Sequence, residues 1–102
     1  MKCKITRNAA TILKEMLSKE DAAGKMVRVF VTGNHGDHAH YDFKLDTPTE
    51  HDEIVKTNKD IDVLLDKREA DLLDGVWIQY FYIPQEGFVI ANPSKGNHHH
   101  SF

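Results

Sequence analysis

Two runs of strict alternation constrain what this chain can fold into more than any other feature. In "KMVRVFVT", Val27, Val29 and Val31 alternate with Arg28, Phe30 and Thr32; in "HYDFKLD", Tyr41, Phe43 and Leu45 alternate with His40, Asp42, Lys44 and Asp46. A period of two marks a strand with one face on a core and the other in water, which sends Tyr41, Phe43 and Leu45 inward. Between the runs, "GNHGDHAH" gathers two glycines, an asparagine and an aspartate. Such residues accept tight and left-handed turns, so the spacing predicts a loop joining two strands.

The flanking segments change period. Ala9, Ile12, Leu13, Met16 and Leu17 fall at i, i+3, i+4, i+7 and i+8, the stripe of an amphipathic helix, with Thr6 as its N-cap. After the polar turn "TPTEHDE", β-prone segments are predicted around Ile54–Thr57 and Ile61–Leu65, with Asn58 in the turn between them. Asp66 and Glu69 are spaced as a capping box ahead of a short second helix that Gly75 stops. "VWIQYFYI" is apolar on both alternating faces apart from Gln79, which predicts a central strand covered on two sides; "PQEG" then turns into "FVIAN". The order helix, strands, short helix, strands predicts one mainly β, α+β domain over residues 1–102.

Composition excludes several classes of function. With 40% hydrophobic and 28% charged residues the chain is globular, and a net charge of -3 with interspersed signs offers no basic field for nucleic acid. No apolar run reaches the length of a membrane span and the basic start leads into no apolar stretch, so a cytoplasmic protein with no membrane partner is expected. No nucleophile, base and orienting group can be assembled, and the chain is not expected to be an enzyme. Cys3 is the single cysteine, which leaves no intrachain disulfide and no site built from several thiolates.

Several stretches taken in order resemble the HesB-like, or IscA-like, A-type iron-sulfur carrier family. They are "IT" with "AA" at the first helix, "VRVFVTGNHG", "DVLLD", "LLDGVWIQY", "GFVIANP" and the closing "SF", spread over nearly the whole chain. The resemblance implies curved mixed β-sheets with an N-terminal amphipathic helix and a short second helix. It also implies a role in iron-sulfur cluster biogenesis, assembly or recipient proteins as partners, and a homo-oligomer. Because the chain closes with the family's Ser101-Phe102, His98 to His100 read as native residues rather than a tag.

The chain departs from the family where clusters are bound. Cluster-binding members use one cysteine in the glycine loop and two in the tail, and this sequence has none of the three. Counted from Gly33, the loop cysteine's place falls to Asn34, with His35 beside it. Counted back from Phe102, the tail places fall on His98 and Gly96, in a tail shorter than the family's. Imidazole ligates iron, zinc, copper and nickel, whereas even a Rieske-type cluster keeps half its ligands as thiolates. The expected metal ligands are therefore His35, His38, His98 and His100, for iron or zinc rather than an intact cluster. In the family fold the tail returns toward the glycine loop, which implies that these histidines meet, with Asp37 or Asp42 completing an N/O set. Two plainer readings stand beside this one. Residues 94–102 can be a flexible, solvated tail, and His40 and Asp42 can be ordinary residues on the polar side of a strand.

Overall fold

A computed structural model of the protein describes residues 1–35 and 38–94, without the side chain of His35. Its elements are β1 (Cys3–Ile5), α1 (Arg7–Leu17), β2 (Met26–His35), β3 (His38–Asp46), β4 (Asp52–Lys56), β5 (Asp62–Asp66), α2 (Ala70–Leu73), β6 (Val76–Phe81) and β7 (Gly87–Ala91). Short 3-10 turns at Glu20–Ala22 and Lys67–Glu69 follow α1 and precede α2. The strands form two mixed sheets, one in the order β1-β6-β7 and one in the order β3-β2-β5-β4. β1 runs parallel to β6 and β2 parallel to β5, while the other pairs are antiparallel. Among the described residues no helix is long and apolar enough to cross a membrane.

Helix α1 starts where the sequence places it. The Thr6 hydroxyl accepts the Ala9 amide at 3.4 Å, and the Thr6 amide donates to the Ile78 carbonyl, so the cap also continues the β1–β6 pairing. Leu13 and Ala9 are fully buried, with Ala10 close to it, and Met16 and Leu17 lie at the edge. The core they enter is built from Ile5, Val27, Val29, Val63, Leu65, Leu73, Val76 and Ile78, the inward positions of strands from both sheets together with α2. A T-shaped aromatic relay then joins the sheets, with Phe43 of β3 at 4.6 Å from Phe88 of β7 and Tyr80 of β6 at 4.8 Å from the same ring.

Outside that core, Arg28 binds three segments at once. Its Nε donates to Asp46 at 2.9 Å, its two terminal nitrogens straddle the Asp52 carboxylate at 2.5 and 2.7 Å, and one of them also reaches the Thr47 carbonyl. Asp52 has a side chain only 1% exposed, and it further accepts the Thr49 amide and hydroxyl. The guanidinium holds the Asp52 carboxyl below the usual carboxylate range against the opposing effect of burial, and the Thr49 donors add to this. In this way the end of β3 and the start of β4 are fixed to β2.

Three sequence expectations are corrected, and one, the turn at Asn58, holds with an added contact. The loop between the alternating runs is mostly strand, because β2 continues to His35 and β3 resumes at His38. The capping box does not form as such: Asp66 accepts the Arg68 amide and pairs with the Arg68 guanidinium, giving a 3-10 turn, and the α-helix begins only at Ala70. Asn58 turns the chain but also ties it, since its side-chain oxygen accepts the Ile5 amide at 3.0 Å, while the residue with positive φ is Asp60. Strand β6 is central in its sheet yet covered on one face only, because Val76 and Ile78 are buried whereas Trp77 and Phe81 are exposed.

Two outcomes follow from this packing. Leu13→Ala empties a fully enclosed site and is expected to cost roughly 2–5 kcal/mol in urea unfolding; a cost below about 0.5 kcal/mol would place the core face elsewhere. Arg28→Ala strands the buried Asp52 carboxylate and should cost about 3 kcal/mol at neutral pH. Because the folded Asp52 pKa is depressed, its contribution is present above the unfolded value of about 3.9 and disappears as pH falls through the folded value. Stability measured against pH should therefore fall below about pH 4 in the wild type and fall less in Arg28→Ala.

Candidate metal site at the end of the β2–β3 pair

The β2–β3 ladder sets the geometry of the histidine-rich end. From Met26↔Asp46 to Val31↔Tyr41 the register is regular, and it then slips by one residue, so that Gly33 faces His40, Asn34 faces Ala39 and His35 faces His38. Thr32 is the extra residue of a β-bulge. Without the slip, Asn34 would stand opposite His38; with it, His35 does. Gly36 and Asp37 lie outside the described residues.

On β3 the alternation is kept, with His38, His40 and Asp42 exposed and Ala39, Tyr41 and Phe43 half-buried. One oxygen of the Asp42 carboxylate accepts the Phe43 amide at 2.8 Å. The structure thus brings His35 and His38 into register. His98 and His100 lie outside the described residues, so their approach to the pair is not part of the described structure. Among the described residues no group of three or more His, Cys, Asp or Glu side chains is placed to hold a metal ion.

The point from which the tail departs is fixed. Asn92 is a fully buried polar residue, and its amide nitrogen donates to the carbonyls of Leu72 and Asp74 at 2.9 and 2.8 Å. Its oxygen accepts both the amide and the hydroxyl of Ser94. The Leu72 carbonyl is also the acceptor of the Tyr41 hydroxyl, at 2.6 Å. Strand β3 and the Asn92–Ser94 segment are therefore held on a single carbonyl of α2. Gly75 permits this closure: its φ is +95°, and a Cβ there would meet the Ser94 hydroxyl at 2.7 Å and the Asn92 side-chain oxygen at 3.1 Å.

Cys3 stands apart from this region. It is buried in β1, in the other sheet, and burial pushes its thiol pKa up to about 12, so it persists as a thiol and supplies no thiolate to the β2–β3 end.

No family model matches the chain. Among curated relatives, the iron-sulfur cluster insertion protein ErpA of Marinobacter nauticus is 32% identical over 97 residues, covering 90% of this chain and 84% of the relative. The chain belongs to the HesB/IscA-like family of A-type iron-sulfur carriers. The iron-sulfur cluster insertion protein ErpA 2 of Methylococcus capsulatus is 32% identical over 92 residues, with 89% of this HesB/IscA-like chain and 71% of the relative covered. The crystal structure of Escherichia coli SufA, described as involved in biosynthesis of iron-sulfur clusters, superposes with a TM-score of 0.68 at 19% identity over 91% of this chain and 87% of its own. That of IscA with a 2Fe–2S cluster gives 0.66 at 19% identity, over 89% and 82%. The expected mainly β, HesB-like fold with two helices is the fold observed.

In the sequence Asn92 stands out only as a family landmark and Tyr41 only as an inward strand position; that the two share an acceptor emerges from the fold. A polar Asn between an apolar strand and a proline was the available signal, because a buried amide must find partners. Asn92→Ala removes the donor from two carbonyls and should destabilise by about 1–3 kcal/mol, while Tyr41→Phe, which leaves Asn92 on Leu72, should cost about 1 kcal/mol; equal losses in thermal unfolding would contradict this division.

Proposed function

We propose that this HesB/IscA-like chain acts in iron-sulfur cluster biogenesis, in the cytoplasm, as a non-catalytic carrier of a divalent metal. In this reading iron, or zinc, is the cargo. The ligands are His35 and His38 at the end of the β2–β3 pair with His98 and His100 of the tail, in one chain or shared between copies in a homo-oligomer. Delivery is to assembly or recipient proteins. The names of the relatives, as cluster insertion proteins, support the pathway.

The observation that carries the reading is the shared Leu72 carbonyl. From Tyr41, three residues of strand reach His38, about 10 Å away. From Ser94, four residues of chain reach His98 over at most about 14 Å. A tail starting beside β3 is therefore long enough to meet the histidine pair. The donor set decides the cargo: neutral imidazole and carboxylate suit a borderline divalent ion, and the one thiol is buried and protonated. An intact cluster does not fit such donors.

A second reading is favoured by the loss of all three family cysteines. On it, the domain has given up metal and serves as an interaction or regulatory module.

Calorimetric titration with Fe(II) and Zn(II) separates the two. Binding should weaken strongly in His35→Ala and equally in a combined His98, His99 and His100→Ala variant. Protons compete for imidazole nitrogens, so affinity should fall as pH drops from about 7.5 to about 5.5. If only the tail variant loses metal, the run acts as a simple oligohistidine chelator and the joint site is wrong; if neither does, the module reading stands. Anaerobic reconstitution with iron and sulfide should give no stoichiometric cluster spectrum, and a cluster abolished by Cys3→Ser would overturn the assignment.

A further inference from the structure

The outer face of the β1-β6-β7 sheet has no cover within the described chain. Trp77 and Phe81 of β6 and Val89 of β7 are 36%, 44% and 46% exposed. The pairing of Lys4 with Trp77, Gln79 with Val89 and Phe81 with Gly87 puts these side chains on one surface. From Trp77 to Phe81 the strip is about 13 Å long, the span of four strand residues, with Gln79 between the two aromatic side chains and Val89 beside it. It is a stretch of sheet wide enough to receive one extended segment.

At its Trp77 end the strip opens into a recess of about 200 Å³, lined by Lys4, Arg7, Lys59 and Trp77 together with Thr6 and Asn58. No carboxylate lines it. The Lys4 ammonium lies 5.3 Å from the centre of the Trp77 ring, and among the described residues none of the three cations is in an ion pair. A larger recess of about 620 Å³ shows the contrast: it too has three lysines, but Asp60 and Asp62 stand among them, and Lys56 pairs with Asp62 at 3.0 Å. Only the smaller recess concentrates uncompensated positive charge, in a chain whose net charge is -3.

We propose that this face is a docking surface for an extended acidic segment of a partner protein, its carboxylates entering the Lys4–Arg7–Lys59 recess and its apolar side chains lying along Trp77, Val89 and Phe81. Charge complementarity selects the occupant. A free inorganic anion would use the cations and leave the strip uncovered. A nucleic acid strand would need a longer track of positive charge than three side chains provide. The inference is independent of the histidine reading, because none of these residues belongs to the β2–β3 end.

Trp77 is the only tryptophan, so its emission reports this site alone. The probe is a blocked hexapeptide of three acidic and three leucine residues, made in both orders, with a Gln/Asn counterpart of equal length. The acidic peptide should change Trp77 emission saturably, and binding should weaken as salt rises from about 0.05 to about 0.5 M. The neutral counterpart should bind about tenfold more weakly. Followed by calorimetry, a combined Lys4→Gln, Arg7→Gln and Lys59→Gln variant should lose about tenfold, and Phe81→Ser should weaken both peptides while circular dichroism stays unchanged. Equal binding of acidic and neutral peptides, or an unaffected triple variant, overturns the proposal. So does tighter binding of a short thymidine oligonucleotide, or self-association abolished by Phe81→Ser in a protein that takes no peptide, which would assign the face to a second copy of the chain.

Discussion

A single guanidinium does for the larger sheet what its short strands cannot do alone. Strand β4 meets the rest of that sheet only through β5, and β3 only through β2, so each edge depends on one neighbour. Arg28 rises from β2 and grips Asp46 at the end of β3 and Asp52 at the start of β4. Its planar fork makes this possible, since two nitrogens can meet one carboxylate while a third group meets another, and a lysine's single charged point could not. With both edges set, the inward valines and leucines fall into the core that they share with α1 and α2, and the hairpin beyond Val31 starts from a fixed base.

Much of this architecture was legible because burial imposes a period. The α1 stripe, the Thr6 cap and the inward set Tyr41, Phe43 and Leu45 follow from water being on one side of each element. What escaped was what period cannot encode. Strand β1 has three residues, too few to show alternation, and exists because β6 offers it a parallel edge. Asp66 was spaced for a capping box, but the nearby Arg68 guanidinium engages it instead. In β6 an apolar residue at every position but Gln79 suggests two covered faces, yet hydrophobicity reports only what a side chain prefers; Trp77 and Phe81 remain exposed.

The histidine end was half legible. Residue type and the family resemblance singled out His35, His38, His98 and His100, and the strand pairing puts the first two opposite each other. Their juxtaposition was not in the alternation, which counts positions along one strand and is blind to a slip between two. The shared Leu72 carbonyl was hidden for a similar reason. Tyr41, Leu72 and Asn92 are far apart in sequence, and only the folded chain makes them neighbours.

The bulge at Thr32 separates two duties that a regular hairpin would combine. Below it, the valines of β2 must keep their parity or the core opens. Above it, the chain has already dropped one residue of register and is under no such obligation. The distal end can therefore gain or lose a residue while the barrier to change in the core stays intact. Closing the bulge with Thr32 kept in the ladder would exchange His35 for Asn34 as the partner of His38 and leave every pair from Met26 to Val31 as it is. In evolutionary terms, the bulge is a joint at which the chemistry of a carrier can be rewritten without renegotiating its fold.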